Sequence, residues 1–163
     1  MNVSKLFAAV VLAASSASAF AQVEFRLAYM KRIPDSSSVA FSNDFMFKFV
    51  ASSTFIGSKD MLRATASLQE GRGVVAIRVS DEAAKRFNEL AKANLANQSR
   101  GVFENHVGLA VIVDGQATKV IQGVFEPLHD KTIWWRPADD RLPPAEQLRV
   151  AKEMARKLRA GSS

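Results

Sequence analysis

The sequence predicts an α+β fold, with a mixed or antiparallel sheet and helices packed mainly on one face. Three observations carry this. Val74 to Val79 and Val107 to Val113 are apolar, β-branched runs of strand length. Between them Ala83, Phe87, Leu90, Ala91 and Leu95 recur at spacings of three and four, the period of an amphipathic helix. Asp114-Gly115 then ends the second run with a strong tight-hairpin signal. Val74 to Gly115 therefore reads as strand, helix and strand in one supersecondary unit.

The remaining elements follow in order. Val23, Phe25, Leu27 and Tyr29 alternate with Glu24, Arg26 and Ala28, so a strand is expected within Gln22 to Ile33. Pro34-Asp35-Ser36-Ser37-Ser38 breaks it as a turn or loop. Phe41 to Phe55, with Phe45, Phe47 and Phe49 alternating with Met46 and Lys48, predicts a second strand. Ser58 suits the cap of a short helix from Lys59 to Leu68, with Met61, Leu62 and Ala66 as its apolar side, and Gly71 and Gly73 close it. Ser80 caps the next helix, with Asp81 and Glu82 placed to meet the positive end of its dipole. Asn97 to Asn105 is a polar connection. The apolar run from Val107 suits a strand covered on both faces. The hairpin continues into Ala117 to Val124. A loop from Phe125 to Lys131 leads to a short strand from Thr132 to Arg136, and Pro137 to Pro144 is a further break. The last helix runs from Ala145 to Arg159, with Leu148, Ala151, Ala155 and Leu158 on one stripe and a fraying tail at 161–163.

The N-terminus places the chain in a compartment. Lys5 followed by the short apolar run Leu6 to Ala14 and the small-x-small triplet Ala19-Phe20-Ala21 read as a secretory signal peptide, cleaved before Gln22. Residues 22–163 are then expected to form one globular unit in the periplasm or outside the cell, with 22–54 supplying N-terminal strands and a loop. That length buries a core without a metal or disulfide staple. The absence of cysteine excludes both disulfides and lipidation on a cysteine after the signal. No apolar run after the signal reaches the roughly 20 residues that span a bilayer. The net charge of +6 favours anionic surfaces without naming one.

The stretch from Val74 to Phe87 resembles the head subdomain of the first periplasmic domain of SecD and SecDF, auxiliary subunits of the bacterial preprotein translocase. Leu109-Ala110-Val111-Ile112-Val113-Asp114-Gly115 is similar to that head's second strand motif, and a segment like Phe55-Ile56-Gly57-Ser58-Lys59-Asp60-Met61 often precedes both. The resemblance runs from Phe55 to Gly161. It departs from the family pattern in three places. Gln116 to Ile121 lacks the usual proline, the link Asn97 to Asn105 is long, and Trp134-Trp135 is unexpected. The resemblance implies a domain that contacts emerging polypeptide. It does not imply the proton-driven motor, whose ionisable residues lie in transmembrane helices that this chain lacks.

No pattern for a reaction or a cofactor stands out. His106 and His129 are the only histidines, and His129, Asp130 and Glu126 share a loop without a recognised ligand spacing. No Gly-x-Ser-x-Gly elbow supports a catalytic serine, and Gly71-Arg72-Gly73 is too short for a dinucleotide fingerprint. The reading is therefore a non-enzymatic exported binding protein whose partner is unfolded polypeptide or an envelope or translocase protein. A small periplasmic hydrolase or metal-dependent enzyme using His129 is the alternative, as is an inhibitor or structural partner of another envelope protein. Nucleic acid is not an expected partner, since aromatic and basic residues are not interleaved. The candidate partner surface is Trp134 and Trp135, which a strand points to opposite faces, with the basic stripe Arg149, Lys152, Arg156 and Arg159 of the last helix. That stripe also suits contact with an anionic membrane surface.

Overall fold

A computed structural model describes residues 22–41, 44, 46–121 and 124–160. The expected signal segment and the tail at 161–163 lie outside the described residues, as does Phe45. The strands divide between two antiparallel sheets. One has the order β2 (Ser36–Ser38), β3 (Phe49–Ile56), β1 (Val23–Tyr29), β6 (Val107–Val113), β7 (Gln116–Ile121). The other has the order β4 (Met61–Gln69), β5 (Arg72–Val79), β8 (Thr132–Trp135). Two helices accompany them, α1 (Asp81–Ser99) and α2 (Pro144–Ala160). The α+β class is as the sequence predicts.

Elements specified by local chemistry form where expected. The Ser80 hydroxyl accepts from the Ala83 N–H at 3.2 Å and starts α1. Asp114 and Gly115 both have positive φ, as a two-residue hairpin turn requires, and join β6 to β7. On α2, Ala151, Ala155 and Leu158 are buried and face β4 and β5.

Other expectations are corrected. The segment Lys59 to Leu68 is not a helix. After a 3-10 turn at Ser58–Asp60 it becomes β4, paired with β5 through a turn at Glu70-Gly71 whose residues also both have positive φ. Cross-strand pairing outweighs the weak helical spacing of Met61, Leu62 and Ala66, and Gly71 serves the hairpin rather than a helix end. The second strand begins at Phe49, not Phe41, because the Asp44 carboxylate caps a turn by accepting from the Met46 and Phe47 N–H groups at 2.6 and 2.8 Å. Ser36–Ser38 is a short strand on β3 rather than a loop. β5 and β6 flank α1 in sequence but belong to different sheets, so they are not one paired unit. Helix α1 extends through Ser99 into the expected polar link. Leu95 on it is 50% exposed while Asn94 is 1% exposed. Asn94 takes the inward position because it ties the start of β6 to the chain beyond β7. Its Nδ2 donates to the Val107 and Val124 carbonyls at 2.7 and 2.9 Å, and its Oδ1 accepts from the Val107 N–H at 2.9 Å.

The main core joins both sheets to both helices. Phe25, Leu109 and Val111 meet Val75, Ile77 and Val79, with Phe87 and Ala91 from α1 and Ala151 and Ala155 from α2. The other face of the five-stranded sheet has its own cluster, in which Phe41 and Phe47 cover Ala110 and Ile112. This is why β6 is apolar on both faces.

Candidate functional site

The site grows from the way β8 alternates. Trp135 is 4% exposed, meets Phe25 edge-on at 6.5 Å between centroids, and lines a small cavity with Val150 and Met154 of α2. Its neighbour Trp134 therefore projects from the opposite face and is 50% exposed. The two outer strands β7 and β8 flank a cleft of about 710 Å³ beside Trp134, with Lys119 and Ile121 on one wall, Arg136 on the other and Asp139 and Asp140 at its end. An outer strand next to an exposed aromatic ring is a setting in which an extended chain can add alongside a sheet.

Electrostatics give the cleft both signs. Lys119 is half-buried and its Nζ donates to the Ala138 carbonyl at 2.7 Å. Burial pushes its ammonium below the usual lysine range, opposed in part by Asp139 and Asp140. Arg141 binds Asp139 through Nη2 to Oδ2 at 2.8 Å and Nε to Oδ1 at 3.1 Å. Those hydrogen bonds hold the Asp139 carboxyl well below the usual carboxylate range.

The other expected surface residues are not gathered here. Helix α2 packs on the face of the β4–β5–β8 sheet that Trp135 joins, so its basic stripe and Trp134 lie on opposite sides of that sheet. Arg149 is paired with Glu146 at 2.9 Å, and Lys152 and Arg156 are exposed on the outer side of the helix. Arg159 lines a shallow crevice with Arg63 at the edge of β4. Glu126, His129 and Asp130 are exposed, and among the described residues no three His, Asp or Glu side chains converge to hold a cation.

Three solved SecDF structures match 87% of the chain. SecDF in a super-membrane-facing form aligns with a TM-score of 0.53 at 16% identity, and SecDF described as a membrane component that enhances protein export aligns at 0.50 and 17%. A translocon-associated SecDF from Thermus thermophilus gives 0.47 at 20%. The fold is SecDF-like. The chain spans 63% of the second of these chains and 19% of each of the other two. No family model matches the sequence, and comparison with curated proteins gives no significant match.

Within this SecDF-like fold the sequence reading missed a set of arginines. Arg63 and Arg78 are directly opposed on β4 and β5, and Arg72 and Arg136 share their face. Reading Lys59 to Leu68 as a helix hid Arg63 and its pairing with Arg78. The usable signal was the period of two in Arg63, Thr65 and Ser67 against Ala64 and Ala66.

The cleft also yields a titration. A ¹³Cε NMR titration of Lys119 is expected to give a midpoint below that of an ordinary lysine, and replacing Asp139 and Asp140 together by asparagine is expected to lower it further. Because the folded value lies below the unfolded one, stability should rise with pH between the two, and Lys119→Met should remove that rise. A midpoint at the ordinary lysine value would contradict the burial of the amine.

Proposed function

We propose that this chain is a non-enzymatic accessory of protein export or envelope quality control that binds extended or unfolded polypeptide in the cleft between β7 and β8. The observation that carries the reading is Trp134. It is a half-exposed indole at the outer strand of a sheet, beside a cleft of about 710 Å³. Indole offers a large, rigid, sequence-tolerant contact, and β8 offers the outer side of a ladder along which a peptide backbone can run. The SecDF-like fold and the sequence resemblance to the SecD head support this reading. So does the signal-like N-terminus, which would place the domain in the periplasm or outside the cell, within reach of a translocase or envelope partner. Among the described residues no helix is long and apolar enough to cross a membrane.

The test is a titration of a dye-labelled, unfolded, alkylated polypeptide followed by anisotropy, with tryptophan emission of the parent protein recorded beside it. Trp135 is enclosed, so a change in emission on binding is expected to come from Trp134. The Trp134→Ala variant should bind about tenfold more weakly or worse, as expected for a central aromatic contact. Absence of binding at high micromolar polypeptide, or binding indifferent to Trp134, would overturn the proposal.

A further inference from the structure

The geometry points to the open face of the β4–β5–β8 sheet as a binding surface for acidic segments of extended polypeptide. This deepens the polypeptide reading above and rests on it. Helix α2 covers one face of the sheet. The other carries Arg63 opposite Arg78 and Thr132 in one row, and Thr65, Ala76 and Trp134 in the next. Beyond these come Ser67 and Val74, then Gln69 opposite Arg72, with Arg136 continuing β8 on the same face. No acidic residue occurs in β4, β5 or β8.

Arg63, Arg72, Arg78 and Arg136 are all exposed, and none has an ion-pair partner among the described residues. Of the eight arginines elsewhere, four are ion-paired among the described residues. Arg26 meets Glu24, Arg86 meets Asp60, Arg141 meets Asp139 and Arg149 meets Glu146. Like charges directly opposed on a sheet destabilise it, so the Arg63–Arg78 pair lowers stability unless an anion lies between the two. Guanidinium groups match carboxylates in a two-point fork, which makes the acidic side chains of a polypeptide apt anions.

The spacing suits an extended chain. Arg78 and Arg72 stand six positions apart on one strand, roughly 20 Å at the rise of a β-strand, and a peptide of the same rise meets both ends of the face. Between them Thr65 and Ser67 are short and exposed, Val74 is buried, and Trp134 stands in the middle row. The same layout disfavours a lipid surface. Of the two exposed leucines in β4, Leu68 pairs with Gly73 and belongs to the other face, and Leu62 lies at the bulge before Arg63. Trp134 is thus the one exposed apolar side chain that the register places among these arginines, less than a bilayer-inserting face carries.

The experiment compares a labelled peptide carrying glutamate at every second position with its glutamine counterpart, against the full mature chain and an R63Q/R78Q variant. The acidic peptide is expected to bind about tenfold more tightly, to lose that advantage in high salt, and to lose it in R63Q/R78Q. The variant should melt at the same temperature or higher, because removing opposed charges relieves repulsion, so weaker binding cannot be attributed to misfolding. Equal binding of the two peptides, with Trp134 still required, would overturn this inference and leave the polypeptide reading standing. Failure of both peptides to bind would overturn both. Arginine-dependent binding to phosphatidylglycerol vesicles with no preference for the acidic peptide would assign the face to lipid and overturn it as well.

Discussion

Gly73→Ala is expected to destabilise the protein by about 3 kcal/mol or more, the upper range for forcing an extra carbon into a packed site. A methyl group there would lie 2.2 Å from the Gln147 carbonyl oxygen and 2.4 Å from its carbon, both backbone atoms of the first turn of α2. A flexible side chain could swing aside from such a contact, but a helix backbone cannot. The helix would have to lift from β5 and loosen the contacts that Ala151, Ala155 and Leu158 make with Val75 and Ile77. The lift would also break a polar clasp. The Gly73 N–H donates to Gln147 Oε1 at 3.1 Å, and Gln147 Nε2 donates to the Leu142 carbonyl at 2.8 Å, which holds the loop before α2 in place. Urea denaturation measures the loss, and hydrogen exchange should show protection falling first in α2. A loss below about 1 kcal/mol would mean that the helix and strand do not approach this closely.

Asn94→Leu is the second large effect, expected to cost about 3 kcal/mol although it puts an apolar residue into an apolar setting. The replacement strands the Val107 N–H and the carbonyls of Val107 and Val124, which Asn94 satisfies from a position 1% exposed. Leaving a buried polar group without a partner costs about 1–3 kcal/mol, and here three are left. Asn94→Asp separates hydrogen bonding from size. The carboxylate still accepts from the Val107 N–H, but it turns oxygen toward two carbonyls in a buried site, so its pKa in the folded state should be raised. A raised folded value means stability present at low pH and lost as the pH climbs through that value. The aspartate variant should therefore lie closer to the parent protein in acid than at neutral pH. Thermal melts across that range would show it, and a pH-independent difference would refute the account.

What could be read from the sequence was chiefly what neighbours in sequence decide. Ser80 bonds three residues ahead, Asp114-Gly115 is a self-contained turn, and the α2 stripe is periodic over its own length, so each was legible. β4 was not, because Met61, Leu62 and Ala66 fit a short helix tolerably and only pairing with β5 shows the period of two. Asn94 and Leu95 exchange roles for a reason 13 and 30 residues away, at Val107 and Val124. The candidate site divides in the same way. Adjacent tryptophans on a strand must face opposite ways, which is legible; which one faces in depends on the side that α2 covers. The opposition of Arg63 and Arg78 exists only once β4 and β5 are in register.

The place of β1 has a consequence for how such a chain comes to be folded. β1 lies between β3 and β6, with Val23 opposite Val113 and Tyr29 opposite Val107, so one of its two neighbours is supplied only after most of the chain is present. Pairing across so long a loop is slow to form, and until β6 arrives the first strand has only β3 beside it. A chain delivered N-terminus first would therefore pass through an interval in which its central strand is an unfinished edge, open to other extended segments. During that interval the protein is itself the kind of substrate its cleft is proposed to hold.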